Sequence, residues 1–192
     1  QALNVGRSTI REAIRILVSR NVVQIMRGRG TVVTNKPGLA DDPLGYQFVR
    51  DKEQLVVDLL EIRLIVEPRI AGLAAMRATD EDIVRMRALA DEFEQQVAHG
   101  RQNAAKDVEL HACIAQCSHN EVITSLIPII NQSIYSFSEL ADGRIFQDSI
   151  DTHRAVVEAI ASHDAHTAET AMTRHILSNQ RLIEQKLTKK ST

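Results

Sequence analysis

Apolar residues recur along most of this chain at helical spacing, and the places where that period fails mark its organisation. Ile10, Ala13, Ile14 and Leu17 stand three or four apart, so Arg7 to Ser19 is expected to form a helix with one apolar side. Gly6 or Ser8 offers a start and Asn21 a stop. The period then changes. Val22-Val23-Gln24-Ile25 and Thr31-Val32-Val33-Thr34 read as two short strands. Met26-Arg27-Gly28-Arg29-Gly30 lies between them, and two glycines in five residues predict a tight hairpin. The next stretch, with Pro37, Gly38, Pro43 and Gly45, reads as a linker over 37–51. Helical spacing then returns, with helices expected near 52–77, 80–99, 103–118, 121–140, 145–162 and 165–187. Thr79 followed by Asp80, Glu81 and Asp82 is an N-cap with acids in the first turn. Ser162-His163-Asp164 is a tight break, with Asp164 capping the last helix, and Pro68 and Pro128 are expected to kink theirs.

A helix followed by a basic-tipped hairpin is the back half of a winged helix-turn-helix. Leu3-Asn4-Val5-Gly6 would be its turn, so a preceding helix is expected before Gln1 and the chain is read as a piece of a longer protein. The fold class is therefore mainly α. A truncated winged helix-turn-helix over 1–36 is followed by an all-α antiparallel helical bundle over 52–188.

Charge sharpens the division. Residues 1–36 hold Arg7, Arg11, Arg15, Arg20, Arg27, Arg29 and Lys36 against Glu12 alone. That segment carries a net +6, so the remainder of a chain of net −2 carries −8. A basic head on an acidic body points to a polyanion as partner of the head only.

Polar residues inside the apolar helix faces are the second signal. At about 100° per residue, Asp107 and His111 fall at the centre of the face built by Val108, Leu110, Ile114, Ala115 and Cys117. His153 falls within the face of Ile150, Val156, Val157 and Ile160. His175 and Asn179 fall within that of Ala171, Met172, Ile176, Leu182 and Ile183. A buried carboxylate costs several kcal/mol unless it is paired or bound to a metal. One Asp and three His facing inward from three helices form a suitable shell for Zn²⁺, and Ni²⁺ or Mn²⁺ would also suit. The bland reading is an Asp–His pair with two unrelated core histidines. Arg63, toward the edge of another apolar face, wants a carboxylate: Glu67 four residues on, or the acid group of a bound small molecule. His99, His119, His163 and His166 fall at helix ends and read as surface residues.

The segment Arg7-Ser8-Thr9-Ile10-Arg11-Glu12-Ala13 resembles the recognition helix of GntR-type regulators, and Gly28-Arg29-Gly30-Thr31 resembles their wing. The rest resembles the FCD effector-binding domain of the FadR-like subgroup. Its landmarks are Glu61-Ile62-Arg63, Glu67-Pro68, Asp107 with His111, Asn120, His153-Arg154, and Met172 with His175. The resemblance implies that Arg7, Ser8, Thr9 and Arg11 contact operator DNA, with Arg27, Gly28 and Arg29 at the wing. It implies that Asp107, His111, His153 and His175 bind a divalent metal, and that Arg63 and Asn179 meet a small carboxylate effector. Asn131 and Ser138 are weaker candidates for the same cavity.

The expected protein is a homodimeric DNA-binding transcriptional regulator, a repressor on family grounds, that responds to a small organic acid such as a sugar acid. Two rivals use the same residues: a metalloenzyme built on the Asp/His3 set, and a regulator whose histidines hydrogen-bond a ligand without metal. No apolar run approaches the roughly 20 residues needed to cross a bilayer, and no secretion signal is recognisable at the first residues. Cys113 and Cys117 are expected to be free buried thiols in a reducing cytosol, which implies a cytoplasmic protein.

Overall fold

The computed structural model describes residues 5–34, 42–100, 104–131, 134–135 and 144–190. The chain divides into two compact units, 1–49 and 50–192.

The first unit is a helix and a hairpin. Helix α1 (Arg7–Ser19) starts from Gly6, whose backbone is extended, and no side chain caps it. Its far end is built by Asn21, the residue expected to stop it. Asn21 adopts φ 55°, its N–H bonds the carbonyl of Val18, and the N–H of Val22 bonds that of Leu17. These paired bonds close the last turn and satisfy carbonyls that would otherwise lack partners. Strands β1 (Val23–Met26) and β2 (Gly30–Val33) pair antiparallel, with Val23 opposite Val33 and Met26 opposite Gly30. Each strand is offset by one residue from the sequence expectation, because Met26 and Gly30 join the ladder and leave a three-residue tip. The N–H of Arg29 bonds the carbonyl of Met26, and Gly28 takes φ 78° at the turn, a conformation a side chain would strain. The apolar side expected of α1 is covered only in part. Ile10, Ile14 and Val18 are half-buried, Ala13 and Leu17 are exposed, and no residue of α1 is buried. One helix and one short hairpin do not provide enough surface to cover that stripe.

The segment expected to be a linker has local order at its end. Asp42 accepts hydrogen bonds from the N–H groups of Tyr46 (2.8 Å) and Gln47 (2.9 Å), which fixes a single 3₁₀ turn, Tyr46–Phe48.

The second unit is helical. Its elements are α2 (Lys52–Arg77), α3 (Asp80–Ala98), α4 (Ala104–Cys117), α5 (Glu121–Ile130), α6 (Arg144–Ala161) and α7 (Ala165–Lys190). Each visible start has its cap. Asp51 accepts from the N–H of Gln54, Thr79 and Asp82 form a reciprocal capping box, and Asn120 accepts from the N–H groups of Val122 and Ile123. Asp164 accepts from the N–H of Thr167 at 3.0 Å, with His163 just before it at φ 56°. Pro68 and Pro128 both lie inside continuous helices. The helix expected over 121–140 is shorter than that: α5 stops at Ile130, with Asn131 as its C-cap. Ile134 and Tyr135 are helical again, and 136–140 lie outside the described residues.

Helix α7 packs on α2 and α6, α3 packs on α4 and α6, and α4 packs on α2 and α5. Their apolar faces make two clusters. The larger includes Ala71, Met86, Leu110, Ile114, Val157 and Ile176. The smaller is built by Val56, Leu60, Phe93, Ile134, Phe146 and Ile183. Burying each large aliphatic side chain contributes about 1.5–3 kcal/mol, and this apolar frame holds the polar residues described next. Cys113 and Cys117 are free and buried, as expected.

Candidate metal centre and nucleic-acid interface

The polar residues that interrupted the apolar faces converge on one place. Asp107, His111, His153 and His175 are all buried, and one ligand atom from each lies within 4.8 Å of all the others. Helix α4 supplies Asp107 and His111 one turn apart, α6 supplies His153, and α7 supplies His175. The His153 and His175 ring centres are 4.4 Å apart, and that of His111 lies 5.1 Å from His175 and 5.4 Å from His153. The edge of Phe93 closes one side, with its ring centre 4.8 Å from that of His153.

Helix α2 adds a second layer. Arg63 and Glu67, four residues apart on its buried stripe, form an ion pair with Nε to Oε1 at 2.6 Å. The other carboxylate oxygen of Glu67 accepts from His111 Nδ1 at 2.5 Å. Arg63 Nη2 is 3.2 Å from His111 Nε2. The internal partner proposed for Arg63 is therefore present, although the guanidinium also reaches the histidine cluster. Asn179 Nδ2 lies 3.2 Å from His175 Nε2, so both residues expected near the effector border the cluster. Sequence reasoning missed Thr152, whose Oγ1 stands 3.0 Å from His175 Nδ1, and Ser149, which donates to Asn179 Oδ1 at 3.5 Å. The signal was available: residues 149, 152, 153, 156, 157 and 160 trace one face of α6, and the period that selects His153 selects the other two. Asn131 is buried with its amide unpartnered among the described residues, and Ser138 lies outside them.

The electrostatics suit a cation. Burial raises the Glu67 carboxyl, but Arg63 and His111 outweigh it and hold the group near pKa 2. Asp107 is likewise raised by burial and then lowered further by His153, His111 and Arg63, so it is ionised. Burial pushes His153 and His175 below the ordinary imidazole range, which keeps them neutral, as metal ligands must be.

Two observations test the fit of a metal. Donors at about 2.1 Å from a tetrahedral ion stand roughly 3.4 Å apart, and His111 Nε2 and His175 Nε2 are 3.2 Å apart. Asp107 Oδ2 and His153 Nδ1 are buried with no hydrogen-bond partner among the described residues. His153 Nε2 lies 3.1 Å from Asp107 Oδ1 without hydrogen-bond geometry. Orphaned buried polar atoms cost about 1–3 kcal/mol each, and a shared cation would satisfy them. The donor set fits a first-row divalent ion. Outside this centre, a groove of about 710 Å³ runs between α6 and α7, lined among others by Asp148, Asp151, Arg174 and Arg181. Thr152 stands in its wall.

The first unit holds the other expected site. Arg7, Ser8, Thr9 and Arg11 occupy the first turns of α1, all exposed, and Arg27, Gly28 and Arg29 form the exposed hairpin tip. Exposed arginines and hydroxyls at a helix N-terminus carry the donors that phosphates and base edges accept. His99, His119, His163 and His166 are exposed, as expected. Two of them tie down turns: His119 Nε2 meets Asp82 Oδ2 at 2.8 Å, and His163 Nδ1 meets the carbonyl of Ala75 at 2.8 Å. No helix among the described residues is long and apolar enough to cross a membrane.

Comparison with known proteins finds a family match in each unit. Residues 1–33 match the family described as bacterial regulatory proteins, gntR family, and residues 58–178 match the FCD domain. The Uxu operon transcriptional regulator of Escherichia coli (strain K12) is 29% identical over 96% of this chain and 75% of its own length. The galactonate operon transcriptional repressor of the same organism is 27% identical over 94% of this chain and 82% of its own. Among solved structures, Streptococcus agalactiae GntR superposes with a TM-score of 0.79 at 40% identity, covering 94% of this chain and 84% of that one. The family and these relatives are regulators, which removes the metalloenzyme reading. This chain, with its basic helix and hairpin ahead of a helical body, belongs to the GntR family of bacterial regulatory proteins and is a DNA-binding transcriptional regulator with an FCD domain.

Proposed function

We propose that this regulator is a homodimeric cytoplasmic repressor, released from its operator by a small sugar acid that binds beside a divalent metal ion. Asp107, His111, His153 and His175 hold the ion, with Zn²⁺ the best match to an Asp/His3 set and Ni²⁺ or Mn²⁺ the alternatives. When bound, the ion would supply Lewis acidity toward an acid oxygen, and Arg63 and Asn179 would offer N–H donors at the edge of the cluster. The observation that carries this reading is the buried four-donor cluster with the unpartnered oxygen of Asp107 inside it. The sugar acid is supported by a relative that controls the galactonate operon.

Residues 1–36 form the reading head, 37–51 the linker and 52–188 the effector and dimerisation domain. Arg7, Ser8, Thr9 and Arg11 read a major groove, and Arg27, Gly28 and Arg29 approach the minor groove. A dimer places two such helices on half-sites one helical turn apart or a multiple of it. The acid must bind one arrangement of the two heads better than the other, since only differential affinity shifts the equilibrium.

The test joins metal analysis to operator binding. Protein purified without chelator or affinity resin should carry about one divalent ion per chain, and galactonate or a related aldonate should weaken operator binding. Less than about half an ion per well-folded chain would sink the metal reading. Aldonate sensitivity that survives complete metal removal would favour a metal-free regulator.

A further inference from the structure

We propose that Thr152 and Glu67 are positioning residues of the metal centre, each fixing a histidine in the tautomer that turns a bare Nε2 toward the ion. The proposal rests on the metal reading above and deepens it, because it names residues that no ligand set includes.

The hydrogen bonds around His175 can be assigned without placing a metal. Thr152 Oγ1 lies 3.1 Å from the carbonyl of Ser149, 3.4 Å from that of Asp148 and 3.0 Å from His175 Nδ1. A carbonyl only accepts, so the single hydroxyl proton of Thr152 goes to the Ser149 carbonyl. The lone pairs of Oγ1 remain, and they accept from His175 Nδ1–H. A neutral imidazole has one proton, so His175 Nε2 is bare. Asn179 leads independently to the same tautomer. Its Nδ2 lies 3.2 Å from His175 Nε2, and a ring nitrogen that receives an amide N–H carries no proton, so its lone pair passes to an ion once the amide is displaced.

His111 repeats the pattern with a stronger partner. Glu67 is paired with Arg63 and accepts only, so His111 Nδ1 donates to its Oε2 at 2.5 Å, and His111 Nε2, which lies 3.2 Å from an Arg63 Nη2 that can only donate, carries no proton. Two bare nitrogens then face each other at 3.2 Å. Two acceptors cannot bond each other, and this separation is close to that of two ligands on one tetrahedral ion. Partners of this kind hold ring orientation and ligand basicity, and losing one costs about 10–100-fold in metal affinity.

Thr152 gives the cleaner test, because Thr152→Val keeps the shape and removes only the hydroxyl. Long-range ¹H–¹⁵N spectra of the metal-free full chain, labelled with ¹⁵N-histidine, should show the His175 proton on Nδ1. A proton on Nε2 would overturn the proposal without reference to any metal. Zn²⁺ affinity, measured by competition with a chromogenic chelator, should fall about 10–100-fold in Thr152→Val and return to within a few-fold in Thr152→Ser. The thermal midpoint of the metal-free chain should fall in Thr152→Val, which leaves the buried His175 N–H without an acceptor, and return toward the parent in Thr152→Ser, with every variant still folded. If the parent binds Zn²⁺ and Thr152→Val binds it equally well, this proposal fails and the metal reading stands. If the parent binds none of Zn²⁺, Ni²⁺ or Mn²⁺, both fail.

Discussion

The two units place the same residue types in opposite environments. In α1, Arg7, Arg11 and Arg15 point to solvent and no residue of the helix is buried. In α2, Arg63 is wholly buried and held by Glu67, His111 and the helices around them. An exposed arginine is hydrated and screened, so it is ready to exchange counterions for phosphates. A buried arginine has lost its water, and its stability depends on every partner being present. The first arrangement suits a surface that must bind and release DNA. The second suits a site whose geometry must be set before a ligand arrives.

Breaking one member of each unit tests that contrast. The largest effect is expected from Arg63→Ala, which strands the Glu67 carboxylate in the core. Urea unfolding should show a loss of about 3–5 kcal/mol, and a loss below 1 kcal/mol would mean that the pair is far more hydrated than its burial indicates. Arg11→Ala should weaken operator binding in the full-length regulator by about 1–3 kcal/mol. It should flatten the salt dependence only if Arg11 contacts a phosphate, and it should leave the urea midpoint of the helical unit in place. Unchanged operator affinity would exclude the proposed docking of α1. The smallest effect is expected from Asn120→Ala, which removes the acceptor for the Val122 and Ile123 N–H groups at the start of α5. About 1 kcal/mol of stability should be lost, with metal affinity unaltered. Altered metal affinity would show that α5 and the metal centre are coupled.

How much could be read from the sequence differs between the units in the same way. Asp107, His111, His153 and His175 were visible because burial is periodic on a helix, and a polar residue inside an apolar period stands out. Thr152 and Ser149 share that period but were passed over, because a hydroxyl is not conspicuous among buried residues. Glu67 was visible only as a neighbour of Arg63. Its second bond, to His111, joins residues 44 apart and follows from the packing of α2 on α4 rather than from local spacing. The end of α5 was hidden because the apolar period runs on: Ile134 is buried beyond the break at Asn131. In the head, the elements were legible from turn chemistry at Asn21 and Gly28. The apolar stripe of α1 promised more burial than residues 5–34 provide.

The ion pair inside the metal centre also has a consequence for charge balance. Arg63 and Glu67 cancel, which leaves the Asp107 carboxylate as the uncompensated charge when the three imidazoles are neutral. The proposed divalent ion would turn that surplus of one negative charge into a surplus of one positive charge. In a buried site of low effective dielectric, an uncompensated charge is expensive, and a single carboxylate restores neutrality. A neutral sugar leaves the positive surplus in place, and a dicarboxylate overshoots to the negative side. With the proposed ion in place, the electroneutrality set by one internal arginine–glutamate pair would favour a monobasic acid as the proposed effector.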